Sequence, residues 1–213
     1  MSIAPEKTQL EMGVVLTQID WNKYLELRDE DANRKVKMTY NRGWLELMSP
    51  GRLHERMSEL VARLVLEWTV ENDVPIQSGG QTTLNRKDLE RGLEPDKCYY
   101  IEHEAAMRAR DESDLTVDPP PDLVLEVDVW STSKVRMPIY AAMGVPEVWR
   151  WKDESLVVFR LNEDGQYVET SQSECLPGFP LDHVTELLHQ RREIDETTLS
   201  RTFRQWIRDQ NTD

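Results

Sequence analysis

The stretch PPPDLVLEVDV, residues 119–129, decides the fold class of this chain. Its three prolines rigidly end the preceding segment, and the residues after them alternate with the two-residue period of a β-strand. The apolar face of this strand carries Leu123, Leu125, Val127 and Val129. The other face carries Asp122, Val124, Glu126 and Asp128. Three acids opposite a wholly apolar face mark this segment as a candidate functional region.

Helix and strand patterns on both sides of this segment predict an α/β fold. Before it, apolar residues recur at steps of three and four over 53–72, which predicts a long amphipathic helix. Shorter helices are predicted over 20–33, 137–143, 181–191 and 196–208. Further strands are predicted over 35–40, 44–48, 76–84, 95–101, 147–151, 156–161 and 166–170. Asn41-Arg42-Gly43 has the composition of a hairpin turn between the first two of these strands.

The length of 213 residues is enough for one domain with a sizeable core. We expect a single domain over 1–213, in which a polar leader over 1–19 precedes a core over 20–170. A C-terminal helical extension over 171–213 completes it. The expected architecture is a mixed central β-sheet flanked by helices, with the hairpin added near the N-terminal end.

The charge of the chain limits its functions. Its 40 Asp and Glu residues outnumber 26 Lys and Arg residues, for a formal net charge of −14. Such a surface repels polyanions, which argues against a protein that coats DNA. A nuclease stays compatible with this charge if a metal ion neutralises a carboxylate cluster and if basic residues gather on one face.

The cysteines and the N-terminal residues bear on the compartment. Cys98 and Cys175 lack the spacing of a metal site, and we expect both to be reduced thiols. The first residues, MSIAPEKTQLEMG, show no basic region followed by an apolar run, and no stretch of the sequence approaches the length of a membrane span. We therefore expect a cytoplasmic location and no membrane partner.

Two acids occupy successive predicted strands near the middle of the chain. Asp96 opens one strand after Pro95, and Glu126 lies inside the next. If these strands pair, both carboxylates can reach one divalent cation, and Mg²⁺ fits best because it often takes only one or two protein carboxylates; Mn²⁺ could replace it. The alternative is a pair of structural acids that are solvated or paired with arginines.

Four pieces of the sequence resemble a known family in their order and spacing. They are LELMSPGRLHE (45–55), EPD (94–96), PPPDLVLEVD (119–128) and IYAAMGVPEVWRW (139–151). Together they are similar to the Uma-type restriction endonucleases of the PD-(D/E)XK nuclease superfamily, over roughly 20–170. The resemblance implies a restriction-endonuclease-like fold and Mg²⁺-dependent hydrolysis of phosphodiesters in DNA. It assigns Asp96 and Glu126 as the two acids of the motif, and by analogy a homodimer.

The chain departs from the superfamily pattern at one position. The pattern has a lysine two residues after the second acid, where this sequence has Asp128. A carboxylate cannot orient the attacking water or stabilise negative charge as a lysine does. Lys134, in the loop after the strand, could reach back instead; Asp128 could be a further metal ligand; or the site could be inactive. Outside the family context, Asp128 could be a solvated strand end and Lys134 an exposed loop residue.

Other conspicuous side chains have both functional and structural interpretations. On a helical wheel, His54 lies at the edge of the buried stripe of the 53–72 helix, which favours a hydrogen-bonded structural histidine over a role in substrate contact. Glu55 could add a helix acid to the metal site, although the wheel turns it away from the core. Trp149 and Trp151 alternate along a strand and are predicted to be packing residues rather than a platform for stacking bases.

Two rival functions remain open at this level. One is a catalytically inactive nuclease fold that serves as a binding or scaffold protein, as the missing lysine and acidic surface suggest. The other is a hydrolase for a small phosphoester, which would not need a basic groove. A basic cleft beside Asp96 would favour DNA over both rivals.

Overall fold

The computed structural model describes residues 12–129 and 133–212, and this part of the chain forms two β-sheets with helices packed around them. The strands are β1 (Met12–Thr17), β2 (Lys37–Asn41), β3 (Trp44–Ser49), β4 (Gln77–Gly80), β5 (Leu84–Arg86), β6 (Arg91–Leu93), β7 (Lys97–Tyr100), β8 (Leu123–Asp128), β9 (Glu147–Lys152), β10 (Ser155–Leu161) and β11 (Tyr167–Thr170). The helices are α1 (Trp21–Asp29), α2 (Arg52–Glu71), α3 (Glu104–Met107), α4 (Met137–Met143), α5 (Leu181–His189) and α6 (Glu196–Gln210).

The larger sheet is the mixed central sheet expected from the sequence. Its order within the described residues is β11-β10-β9-β8-β7-β4. β8 and β9 run parallel, with Leu123 opposite Glu147 and Asp128 opposite Lys152, whereas the other neighbours are antiparallel. Parallel neighbours need a crossover, and α4 lies in the segment that connects these two strands. The predicted α/β class is therefore confirmed.

The two faces of the central sheet have different neighbours because side chains alternate along each strand. Leu125, Val127 and Trp149 face a core that also contains residues of α2, α5 and α6. Val124 and Val148 face the opposite way, into a core with Tyr140 and other residues of α4. Glu126 comes two residues after Val124, so its side chain points to the same face of the sheet, the α4 side. Trp149 and Trp151 are buried in the first core, which confirms their prediction as packing residues.

The smaller sheet contains the predicted N-terminal hairpin, and its order is β1-β3-β2-β6-β5. Asn41 pairs with Trp44 across a two-residue turn. Arg42 and Gly43 both have positive φ, at 47° and 90°, which matches the twist of a hairpin turn. Trp21, Tyr24 and Tyr40 form an aromatic core beneath this sheet.

The structure corrects two details of the sequence-based prediction. The polar leader over 1–19 includes β1, which pairs with β3. The single strand predicted over 76–84 is instead β4 and β5, which belong to different sheets. The chain changes direction at Gly79 and Gly80: Gly80 has a φ of 59°, and a Cβ at Gly79 would collide with the sulfur of Cys98.

A bilayer-spanning helix would need a long apolar surface. Among residues 12–129 and 133–212, no helix is long and apolar enough to cross a membrane.

Candidate active site

Asp96 and Glu126 project from adjacent strands onto one face of the central sheet. β7 pairs with β8 so that Lys97 lies opposite Leu125, and extending this register by one residue places Asp96 opposite Glu126. Directly opposite residues of an antiparallel pair share a face. The N–H of Val127 also donates a hydrogen bond to Asp96 Oδ2 at 2.7 Å. The predicted juxtaposition is therefore present, and both side chains are almost completely buried, at 0% and 1% exposure.

Two basic side chains contact Asp96 from outside the central sheet. Lys37 of β2 directs its ammonium group to Asp96 Oδ1 and lies 3.5 Å from the carbonyl oxygen of Pro95. His54, in the first turn of α2, places Nε2 at 3.1 Å from Asp96 Oδ2. Burial by itself would raise the pKa of Asp96, but the His54 hydrogen bond and the charge of Lys37 outweigh it and hold that pKa well below its usual value. Asp96 is therefore ionised.

The carboxylate of Glu126 is held by the start of α4. Arg136 donates from Nη1 to Glu126 Oε2 at 2.7 Å, and the hydroxyl of Tyr140 donates to Oε1. Arg136 and Tyr140 are four residues apart, so they lie on one side of a helical turn. Burial raises the pKa of Glu126, the charge of Arg136 opposes this increase, and the charge of Asp96 adds to it. Asp96 and Glu126 are thus close enough to repel each other.

Lys37, Arg136 and Tyr140 are site residues that the sequence-based prediction missed. The spacing of Arg136 and Tyr140 on α4 was a usable signal, since it points both side chains to the same side of that helix. Lys37 carried a weaker signal, because Lys35 and Thr39 are also polar residues of the predicted 35–40 strand. Its proximity to Asp96 depends on contact between segments 59 residues apart.

Asp128 lies two residues after Glu126 on β8, and Lys134 lies on the turn that precedes α4. Asp128 forms an ion pair with Arg150 and is largely buried, so the alternative of a solvated strand end is wrong. Lys134 is exposed on a 3₁₀ turn, and it lines a groove together with Arg150 and Phe159. A metal-binding role of Asp128 and a catalytic role of Lys134 stay predictions.

His54 and Glu55 both lie near Asp96. His54 is buried and hydrogen-bonded, as its structural interpretation expected. Glu55 is half exposed, with Oε1 at 3.8 Å from His54 Nδ1. Although the helical wheel turns Glu55 away from the core, its side chain lines a cavity of about 360 Å³ that Lys37 also lines. Glu55 is therefore placed at the approach to Asp96 rather than on the far side of the helix.

This cavity has a basic character that the whole chain lacks. Its charged lining residues are Arg34, Lys35, Lys37, Glu55 and Glu94, three cations against two carboxylates, and two of the cations are paired, Arg34 with Asp31 and Lys37 with Asp96. The ammonium of Lys37 connects the cavity to Asp96. A basic opening beside the first acid is the feature that favours a polyanionic substrate.

The donor set can be compared with the needs of a divalent cation. Within 12–129 and 133–212, no group of three or more His, Cys, Asp and Glu side chains is arranged to hold a metal ion. Asp96 Oδ1 and both oxygens of Glu126 each accept one hydrogen bond and keep a second lone pair, whereas Asp96 Oδ2 accepts from both Val127 and His54. Mg²⁺ commonly uses one or two carboxylates plus water and substrate phosphate. A cation between the two acids would also relieve their mutual repulsion, so the residues fit Mg²⁺.

Comparisons with known proteins identify the family and the fold. The family model Uma2, described as "Putative restriction endonuclease", matches residues 21–193. No curated protein gives a significant match. Among solved structures, the chain is similar to the crystal structure of "a putative nuclease belonging to DUF820" from Anabaena variabilis ATCC 29413. The two share 14% identity and a TM-score of 0.51 over 87% of this chain and 99% of the other, so the likeness is one of fold. Because the family model spans most of the sequence, this chain belongs to the Uma2 family.

Proposed function

We propose that this protein is a Mg²⁺-dependent nuclease that hydrolyses phosphodiester bonds of DNA at the site formed by Asp96 and Glu126. The observation that carries the proposal is the pair of buried carboxylates on adjacent strands beside a basic cavity. Membership of the Uma2 family supports a nucleic acid as the substrate. A small phosphoester would not require the three cations of the cavity.

Asp96 and Glu126 would hold the metal ion, and Mn²⁺ could substitute for Mg²⁺. When bound, the ion lowers the pKa of a water molecule and offsets charge that develops on the phosphoryl oxygens. Arg136 and Tyr140 fix the orientation of the Glu126 carboxylate, and His54 fixes that of Asp96. The protein thus presents two oriented carboxylates without further rearrangement of their own hydrogen bonds.

Lys37 supplies the positive charge that the sequence lacks at Asp128. Its ammonium group lies beside Asp96 and lines the cavity through which a phosphate would approach. A cation at this place can position the attacking water and stabilise negative charge in the transition state. Lys37 reaches the site from β2, whereas the superfamily lysine comes from the strand of the second acid. Lys134 remains the second candidate for this role.

The test is a cleavage assay on supercoiled plasmid and on single-stranded DNA, in Mg²⁺, in Mn²⁺ and in chelator. The variants are Glu126→Gln, Lys37→Met, Lys134→Ala and a matched lysine control, Lys97→Met. Lys97 pairs with Glu59 outside the site. We expect chelation or Glu126→Gln to abolish cleavage, and Lys37→Met to slow it about 10²-fold or more. Lys97→Met should cleave like wild type.

Each variant addresses a separate part of the proposal. Equal cleavage by wild type and Glu126→Gln would reject this site. Full activity of Lys37→Met together with loss in Lys134→Ala would transfer the lysine role to Lys134. Urea unfolding of every variant separates lost chemistry from lost folding.

The rival function, a non-catalytic binding protein with a nuclease fold, also has an observation in its favour. Lys37 and Arg136 already neutralise the two carboxylates, so the cluster can be stable without a metal ion. This rival predicts that DNA binding is detectable while cleavage is absent at every metal concentration. Calorimetric titration with Mg²⁺ in the presence of DNA would separate the two functions.

Two features of the biological setting complete the proposal. We expect a homodimer, because cutting both strands of a duplex suits a two-fold symmetric enzyme. Sedimentation equilibrium checks this, and a monomer at micromolar concentration would contradict it. We also expect a cytoplasmic setting, in which the free thiols of Cys98 and Cys175 stay reduced.

A further inference from the structure

A second cavity, a groove of about 510 Å³, opens on the α4 side of the central sheet. The lining side chains that matter here come from the 3₁₀ turn before α4 and from α4, β9, β10 and β11. They are Lys134, Met137, Pro138, Arg150, Phe159 and Tyr167. Its volume falls in the range of small-molecule sites, and its walls are mainly apolar with a few polar groups.

Strand register places this groove next to the candidate active site. Glu126 of β8 lies opposite Arg150 of β9. Val148, two residues before Arg150 on β9, lies opposite Phe159 of β10. All four residues therefore share one face of the sheet. With strands about 4.8 Å apart and a rise of about 3.3 Å per residue, the backbone at Phe159 lies roughly 12 Å from that at Glu126. The first turns of α4 thus lie beside both places: Tyr140 contacts Glu126, and Met137 and Ala141 line the groove.

The groove combines aromatic surface with positive charge. The guanidinium carbon of Arg150 lies 5.5 Å from the centre of the Phe159 ring, and Lys152 Nζ lies 5.8 Å from it. Asp128 pairs with Arg150 and offsets one of these charges, and Lys134 also lines the groove. The hydroxyl of Tyr167 donates to the carbonyl oxygen of Val145 at 2.7 Å, which fixes this wall of the groove.

We propose that this groove binds a nucleobase of a single-stranded polynucleotide, next to the phosphate held at Asp96 and Glu126. The base packs against Phe159 and Tyr167, and the adjoining phosphate is held by Lys152 and Lys134. The inference rests on the proposed function and deepens it, because it names unpaired nucleic acid as the preferred substrate class. Aromatic surface flanked by cations is the combination that recognises single strands. A base stacked inside a duplex cannot enter such a groove unless it is flipped out.

The test measures binding apart from cleavage. Fluorescence anisotropy in chelator follows labelled oligonucleotides that are single-stranded DNA, single-stranded RNA, duplex DNA and single-stranded DNA made of abasic sites. The variants are Phe159→Leu, which keeps apolar bulk, Phe159→Tyr, which keeps the ring, and Lys152→Gln. Arg201→Gln, at an exposed position of α6, is the control for loss of one positive charge.

Wild type should bind single strands at least about tenfold more tightly than duplex or abasic DNA, since stacking is lost in both. Phe159→Leu should weaken single-strand binding about tenfold, and Lys152→Gln should weaken it severalfold. Phe159→Tyr and Arg201→Gln should stay within about twofold of wild type, because they keep the ring and the groove cations. The comparison of DNA with RNA identifies the sugar that the site prefers.

Wild-type affinity in Phe159→Leu, or equal affinity for abasic and intact strands, would overturn the groove assignment. The nuclease proposal would survive that result if Glu126→Gln still abolished cleavage in Mg²⁺. Conversely, loss of binding in Phe159→Leu without cleavage by wild type would support the groove and reject the nuclease. Thermal unfolding of Phe159→Leu must match that of Phe159→Tyr, so that a binding difference reflects the ring.

Discussion

At the scale of single residues, Asp96 and Glu126 are buried together with the charged side chains of Lys37 and Arg136. Moving one ion out of water costs several kcal/mol even after relaxation. Here Lys37 and Arg136 offset that cost with direct ion pairs, and Tyr140 adds a hydrogen bond to Glu126. Such a network does little for stability compared with apolar packing, but it holds each carboxylate in one orientation. Its presence at this position fits a site that must be preorganised.

Removing one member of the network should therefore be costly, and removing two should be less so. We predict that Arg136→Met lowers the free energy of unfolding by about 3–5 kcal/mol, because it leaves the buried Glu126 carboxylate without its cation. The double variant Arg136→Met/Glu126→Met should recover at least about half of that loss. Urea unfolding measures both.

The control is Arg34→Met, which breaks an ion pair with Asp31 in which both side chains are exposed. Its unfolding midpoint should stay close to that of wild type. A double variant as unstable as Arg136→Met alone would contradict the ion-pair explanation, since the loss would then come from packing.

At the scale of elements, α2 connects the candidate site to the helical core. Its first turn carries His54, which contacts Asp96, and its middle packs against the central sheet. Its last residue, Glu71, accepts hydrogen bonds from Arg208 at 2.8 and 2.9 Å and from Arg204 at 2.7 Å, both on α6. α6 therefore contacts the C-terminal end of α2, whose first turn carries His54.

The Glu71 contacts should make this attachment depend on pH. The hydrogen bonds from Arg208 and Arg204 lower the pKa of Glu71 from 4.5 to about 2. Between these values the unfolded chain binds a proton that the folded chain does not, so stability falls as the pH drops from 4.5 towards 2. We predict that Glu71→Gln costs about 1 kcal/mol or less at pH 7, in keeping with solvent screening of the two arginines.

The difference between Glu71→Gln and wild type should shrink towards zero as the pH falls to about 2. It should also shrink in 1 M salt at pH 7, which screens exposed charges. Urea midpoints at several pH values measure it, with Glu163→Gln in the exposed β10–β11 turn as control. A difference that stays constant from pH 7 to pH 2 would show that Glu71 acts through shape instead of charge.

At the scale of the whole molecule, a net charge of −14 opposes nucleic-acid binding while a local basic cavity favours it. The exposed side chains Arg34 and Lys35 lie at this cavity, close to the buried ion pair of Lys37 and Asp96. Each phosphate that they neutralise releases counterions and makes binding depend on salt. The basic cavity would therefore set where a polyanion binds on an otherwise repulsive surface.

We predict that binding of single strands in chelator weakens as salt is added. A plot of the logarithm of the association constant against the logarithm of the salt concentration should have a slope of about −2, as expected for three phosphate contacts. Replacing Arg34 and Lys35 by Gln together should reduce the size of that slope by about 1.4. Anisotropy titrations from 50 to 200 mM salt, a range of about fourfold, measure this. Arg201→Gln is the control, and an unchanged slope in the double variant would place the phosphates elsewhere.

The sequence by itself determined the elements whose evidence is local. The alternation in 122–129 gave the central strand and its acidic face, and the apolar spacing in 53–72 gave α2 to within one residue at each end. Met137 to Met143 is helical as predicted, and Gly144 ends that helix with a φ of 79°. Asp96 and Glu126 could be paired because neighbouring strands of opposite direction bring their facing side chains together.

Only the tertiary structure decided which cations accompany these acids. Lys37 reaches Asp96 from a strand 59 residues away, and Arg150 meets Asp128 across 22 residues. Periodicity describes which way a side chain faces, but it carries no information about which distant segment packs against that face. For the same reason the split of 76–84 between two sheets was not foreseen: pairing with partners distant in sequence, and a bend at two glycines, overrode the local strand pattern.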